Sequence, residues 1–154
     1  MNNVTMCAIG TVHSSRKDTT DDNWGNIIAE IVLDPLKFQP DALAGLSEFS
    51  HVEIVYFFHL VAENEVETGA RHPRERKDWP CVGIFAQRGK ARPNRIGVSR
   101  CRILDVQGLT LKVAALDAIE GTPVLDIKPW MVEFSPLEKT HQPLWATELM
   151  QDYY

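Results

Sequence analysis

The chain has 154 residues, 44% of them apolar and 24% charged, which is the size and composition of one soluble domain with a real core. No stretch approaches the roughly 20 consecutive apolar residues needed to span a bilayer. Met1-Asn2-Asn3-Val4 lacks the basic region and apolar run of a signal peptide. Three cysteines, Cys7, Cys81 and Cys101, are too few and too dispersed for a disulfide framework or a paired zinc site, so the expected setting is a reducing cytoplasm.

Net charge is −5, and it is unevenly spread. Residues 71–102 hold ten of the 16 Lys and Arg residues against Glu75 and Asp78, leaving this window at +8 and the rest of the chain at −13. A basic band on an acidic body suits a polyanion, because counterions released from it drive binding. It equally suits a solvated loop with scattered charge, and the count alone does not separate the two.

Taken in chain order, residues 4–12 are β-branched and small and read as a first strand, and 13–26 as a polar loop. Residues 27–33 read as a second strand stopped by Asp34-Pro35, and 40–46 as a short helix ended near Ser47. His51 to Val61 is the strongest apolar run, and its Val, Ile, Tyr and Phe content favours a buried strand. Residues 62–79 form the longest loop, of a length that is usually functional or disordered. Further strands are expected at 81–86, 96–106, 109–116 and 124–127, with turns at Gly108 and Gly121-Thr122-Pro123. All three cysteines fall in expected strands and read as structural thiols. Within 96–106 neither alternating face is cleanly apolar, which suggests that one face meets a ligand or partner. The tail from Ser135 is expected to be irregular, with a short helix near residues 145–150. Many short strands and little helix imply an antiparallel barrel or sandwich in a single domain, residues 1–154, with 135–154 as its C-terminal tail.

The common cofactor signatures are missing. There is no GxGxxG after the first strand, no Walker loop, no HExxH and no GxSxG, and the histidines are scattered, so no metal is expected. Two segments stand out instead. Residues 83–99, GIFAQRGKARPNRIGVS, are a strand, a cation-filled turn and a strand, in which Arg88 and Arg92 could hold a carboxylate or phosphate in bidentate fashion. Residues 116–130, LDAIEGTPVLDIKPW, bring Asp117, Glu120, Asp126 and Lys128 around one turn. Asp126 stands between Leu125 and Ile127, where desolvation could make it a base. It could instead pair with Lys128 on one strand face, and the pattern leaves both open.

Together these segments resemble the TsaA-like family, which includes bacterial tRNA N6-threonylcarbamoyladenosine methyltransferases. Its pattern runs roughly GVFATRSPxRPNPIGLS and then LDxxDGTPVLDIKPY. Ala8-Ile9-Gly10-Thr11-Val12, and Leu46 to His51 leading to Phe57-Phe58-His59, also fit, so the resemblance runs from about residue 6 to 134. It implies a mainly β fold, a small antiparallel β-barrel with long loops and one or two short helices. It implies a homodimer that binds S-adenosyl-L-methionine near the interface and methylates tRNA. By matching position it assigns His59, Arg88, Val98, Ala114, Ala115, Leu116 and Asp117 to the cofactor, with Asp22, Asn23 and Trp24 as the nearest match to a further cofactor loop.

In the mechanism this suggests, Trp24 stacks on adenine or faces the sulfonium, and Asp126, beside Lys128, takes a proton from the exocyclic amine. Lys90, Arg92, Asn94 and Arg95 meet the tRNA backbone. The sequence departs from the pattern at Gly89-Lys90, Arg95 and Glu120. Three alternatives stay open: a methyltransferase for a small molecule or another RNA, a non-catalytic module that binds S-adenosylmethionine or RNA, and a structural barrel with no ligand.

Overall fold

The computed structural model describes residues 3–154; the N-terminal reading that rests on Met1 and Asn2 lies outside them. Eight strands are present: β1 (Gly10–Ser14), β2 (Ile28–Leu33), β3 (His51–Phe57), β4 (Ala70–Arg71), β5 (Val82–Gly83), β6 (Ile96–Gln107), β7 (Thr110–Ala114) and β8 (Pro123–Pro129). The one α-helix among the described residues, α1, spans Leu144–Leu149. Six strands close an antiparallel barrel in the order β1-β2-β7-β6-β3-β8, and β4 and β5 form a separate two-stranded ladder. The barrel expected from the sequence is therefore the fold. Among the described residues no helix is long and apolar enough to cross a membrane.

Alternation fills the barrel. In β3, Val52, Ile54 and Tyr56 point inward and are buried, while His51, Glu53, Val55 and Phe57 face out. Val12, Ile31, Leu111, Val113, Leu116 and Val124 complete the core, each removing apolar surface worth about 1.5–3 kcal/mol from water. The mixed alternation of β6 has a packing cause. Gly97, Ser99 and Cys101 face inward, with the Tyr56 ring resting on Gly97 and its hydroxyl beside Ser99. A Cβ on Gly97 would come 2.3 Å from the Tyr56 ring. The other β6 face presents Val98, Arg100 and Arg102 to solvent.

Several local expectations are corrected. The first strand starts at Gly10, not at residue 4. The expected helix at 40–46 is a series of turns that ends where Gly45 takes a left-handed φ of 82° before a 3-10 turn at Leu46–Glu48. The run from His51 stops being a strand at Phe57. Residues 81–86 contribute the two residues of β5, and Ile84–Ala86 then turn in a 3-10 helix that buries Ile84. Cys7 and Cys81 are exposed and lie outside strands, whereas Cys101 is buried in β6, so the structural-thiol reading holds for Cys101 alone.

Antiparallel closure decides where function can sit. The C-terminal ends of β1, β3 and β7 and the N-terminal ends of β2, β6 and β8 share one rim. The connections 15–27, 58–95 and 115–122 all emerge there. At the opposite end β6 and β7 are joined by a tight turn at Gly108, φ 55°. The tail leaves β8 at that opposite end and returns to the rim, ending beside Gly25.

Candidate functional site

The rim gathers most of the sequence-predicted residues. Asp117 lies above the barrel interior. Its Oδ1 accepts a hydrogen bond from the Tyr56 hydroxyl at 2.8 Å, and its Oδ2 accepts one from the Tyr153 hydroxyl. Burial, and then the charge of Asp117, push both phenols well above the ordinary tyrosine value. Burial pushes the Cys101 thiol up as well, with Asp117 adding to it.

Tyr56 also links the two motif segments. Its ring rests on Gly97 of the first, and its hydroxyl reaches Asp117 of the second. Neither tyrosine was singled out from the sequence. Tyr56 had a signal, a large residue on the inward parity of a buried strand opposite a glycine. Tyr153 had none, because the contact links residues 36 apart through an irregular tail.

Ala115 precedes Asp117 with a left-handed φ of 64°, and Asn23 and Arg95 on the neighbouring connections share that conformation at 64° and 51°. Non-glycine residues in this region store strain, and strain of this kind concentrates at functional sites. Ala114 and Leu116 are buried, Leu116 completely, so their side chains belong to the barrel and leave only backbone for a ligand. His59 follows the end of β3, and its Nε2 lies 4.0 Å from where a side chain on Gly121 would begin. Arg88 is exposed, and its Nη2 donates to the Val98 carbonyl at 2.6 Å.

The 22–24 loop is more structural than expected. Asp22 is held by both terminal nitrogens of Arg74, at 2.9 Å for Nη1. Trp24 is 5% exposed, and the Arg16 guanidinium sits 3.6 Å over its ring. The ring face expected to stack on adenine therefore already carries a cation. The backbone N–H groups of Asn23 and Trp24 donate to the carbonyls of Asp152 and Tyr153, each at 2.8 Å.

Asp126 and Lys128 are not at the mouth. They sit on the outer face of β8, where Lys128 Nζ is 2.6 Å from Asp126 Oδ2 and the Ile127 N–H donates to Oδ1. With side chains 47% and 63% exposed, they form the solvated ion pair that the sequence left open, not a desolvated base. Across the sheet, Asp126 stands opposite Val55, and Val55 opposite Val98.

Five of the ten cations of the basic band are paired within the fold. Arg74 faces Asp21 and Asp22, Arg76 pairs with Asp78, Lys90 with Asp21, Arg95 with Glu63 and Arg100 with Glu53. Arg95 also lies 4.7 Å over Phe57. Arg92 donates to the Gln87 carbonyl at 3.1 Å, with no carboxylate partner among the described residues. Asn94 is exposed at the tip of the turn. Among the described residues no group of three or more His, Cys, Asp or Glu could hold a metal ion.

Comparison with known proteins agrees with this architecture. Residues 9–135 match the family model described as the tRNA-methyltransferase O N-terminal domain. The chain belongs to that family. As a tRNA-methyltransferase O N-terminal domain, it is 33% identical over 133 residues to a Pyrococcus abyssi protein named "Probable S-adenosyl-L-methionine-binding protein", covering 84% of this chain and 70% of that one. It is 39% identical over 97 residues to the Escherichia coli tRNA (adenine(37)-N6)-methyltransferase, covering 60% of this chain and 41% of that protein. It is 35% identical over 103 residues to the human enzyme of the same name, 67% of this chain and 23% of that one. Among solved structures, TrmO from Pseudomonas aeruginosa superposes with a TM-score of 0.74 at 25% identity, over 93% of this chain and 63% of that chain. The domain thus spans less than half the length of the E. coli and human relatives.

Proposed function

We propose that this domain binds S-adenosyl-L-methionine at the barrel mouth and methylates N6 of an adenosine in the tRNA anticodon loop, with threonylcarbamoyladenosine as the target nucleoside. The observation that carries the reading is Tyr56. It ties together the two segments on which the family resemblance rests, at the rim from which the connections that carry His59, Arg88 and Asp117 emerge. The groups present there fit such a cofactor: a carboxylate for its hydroxyl or cationic groups, a guanidinium for its carboxylate, and apolar surface at Val98. When bound, the cofactor supplies an electrophilic methyl group.

The chain's own task is then in-line positioning. Asp117, oriented by two phenols, anchors one end of the cofactor. Arg88, exposed beside Val98, takes the carboxylate end. His59 walls the site next to the Gly121 turn, and the backbone of Ala114, Ala115 and Leu116 forms its floor. Asp22, Asn23 and Trp24 shape the rim through Arg74, Arg16 and the tail. Of the turn residues assigned to the tRNA backbone, Arg92 and Asn94 have no carboxylate partner among the described residues, whereas Lys90 and Arg95 would exchange Asp21 and Glu63 for phosphate on binding. Asp126 is kept as the proton acceptor only as a solvated carboxylate outside the mouth, paired with Lys128 and reaching the Val98 side of the site across β3. Asp126→Asn should cut turnover with little loss of cofactor affinity; equal loss of both would assign the pair to folding.

The assembly and setting follow as proposals. Phe85 is 77% exposed and Val98 36% exposed, on either side of Arg88 in sequence, which supports a homodimer with its interface beside the cofactor site. The three free thiols support a cytoplasmic setting. The internal pairing of five cations of the basic band favours a second reading, a methyltransferase for a small molecule or another RNA.

The deciding experiment is titration calorimetry with S-adenosylmethionine, S-adenosylhomocysteine and ATP, followed by methyl transfer to tRNA. Selective binding of the first two, weakened in Arg88→Ala, and methylation of tRNA would support the full reading. Binding without transfer to any RNA would leave a small-molecule methyltransferase or a non-catalytic binding module.

A further inference from the structure

The C-terminal segment lies outside residues 9–135, the part matched by the family model. It is nevertheless built into the rim at four independent points. The Asn23 and Trp24 N–H groups donate to Asp152 and Tyr153 at 2.8 Å. Trp79, 5% exposed, donates its indole N–H to Glu148 Oε2 of α1 at 2.7 Å. Gly25 leaves room for Tyr154, whose carbonyl carbon would lie 2.7 Å from a Cβ there. The Tyr153 hydroxyl reaches Asp117 Oδ2.

Asp117 is therefore gripped from two sides. Tyr56 holds Oδ1 from inside the barrel, and Tyr153 holds Oδ2 from the tail. A phenol on each oxygen fixes the carboxylate plane, and each oxygen keeps a further lone pair for a ligand. A segment attached at four points, one of them needing a glycine, is suited to a permanent wall of a site. A plug that each ligand must displace would gain nothing from so many attachments.

We infer that Tyr153 is a positioning residue for Asp117 and that the 144–154 segment forms a fixed wall of the cofactor site. The inference rests on the cofactor reading above, and deepens it by naming what orients the carboxylate that meets the cofactor.

The test is a double-mutant cycle read by calorimetry with S-adenosylhomocysteine, using the full chain, Tyr153→Phe, Asp117→Ala and the double variant. Thermal unfolding of each ligand-free protein controls for stability. Asp117→Asn takes the place of Asp117→Ala if that variant does not fold. Tyr153→Phe should weaken binding about ten- to a hundredfold in the Asp117 background, as expected for one hydrogen bond to a charged group. It should change binding little once Asp117 is replaced. Equal weakening in both backgrounds would reduce Tyr153 to a structural contact and overturn the inference.

Hydrogen exchange gives a second readout. The 144–154 amides should gain protection on adding S-adenosylhomocysteine; loss of protection, or tighter binding by Tyr153→Phe, would make the tail a competing plug and overturn the wall. No binding by the unsubstituted chain would overturn the cofactor reading itself, and with it this inference.

Discussion

At the scale of single residues, the closest fit in the barrel is Gly97 under Tyr56. A methyl group at 97 cannot be accommodated at 2.3 Å from the ring, and Tyr56 cannot move without leaving Asp117. Gly97→Ala should therefore destabilise by roughly 1–3 kcal/mol as an overpacked core, seen as a lower denaturant midpoint. Tyr56→Leu in the same chain should restore part of that loss; no restoration would mean that the strain lies elsewhere. Tyr56→Phe keeps the ring and removes one hydrogen bond to a charged group, worth roughly 1.5–3 kcal/mol. A midpoint unchanged from the parent would show that the hydroxyl is replaced by solvent. The Asp126–Lys128 pair is the contrasting case. Both side chains are about half exposed or more, so Lys128→Met should alter stability by about 1 kcal/mol or less.

At the scale of elements, β2, β3, β6, β7 and β8 lie within a few residues of where apolar runs, β-branched and aromatic content and turn residues put them. The misread ones had composition without a partner strand. Residues 4–9 are apolar enough for a strand, yet β8 runs beside β1 for a short distance, and no neighbour pairs the earlier residues into a ladder. Ile84 is buried as a strand residue would be, but within a 3-10 turn, which patterning cannot distinguish. For the site, the motif segments were readable and their convergence was not, because that depends on Tyr56, Arg16 over Trp24, and the returning tail. The connection before β8 offers a pH test. Glu120 accepts the Ser14 N–H at 2.6 Å and lies near His13, and these contacts, the backbone bond first, hold its carboxyl below the ordinary 4.5. A depressed value means that the stabilisation is fully present above the unfolded-state pKa and is lost as pH falls through the folded one. Between about pH 6 and pH 3 the melting temperature of the parent should fall further than that of Glu120→Gln. Parallel curves would remove Glu120 from the acid response.

At the scale of the whole molecule, charge is the property the sequence overstated. The band of ten cations exists, but carboxylates from 21–22, 53, 63 and 78 fold back onto five of them. Salt dependence of tRNA binding should therefore report the others. Arg92→Ala should lower the slope of log K against log salt by about 0.7–0.9, while Arg74→Ala should leave the slope nearly unchanged and loosen the 22–24 loop. Equal slopes in all three proteins would mean that the turn does not touch phosphate. The cylinder itself is not equally secured around its circumference. β3 and β6 are laced from His51–Arg102 to Phe57–Ile96, whereas β1 meets β8 through Gly10 opposite Val124 and Thr11 opposite Pro123. Flanking bonds from Ile9 to Val124, from Val12 to Thr122 and from Gly121 to Val12 close the rest of that join. A hoop under thermal stress parts at its weakest weld, and here the weld stands beside Glu120 and the turn leading up to it. Opening of the barrel should therefore begin at this join, next to the rim proposed to hold the cofactor, and amides of β1 and β8 should exchange before those of β3 and β6.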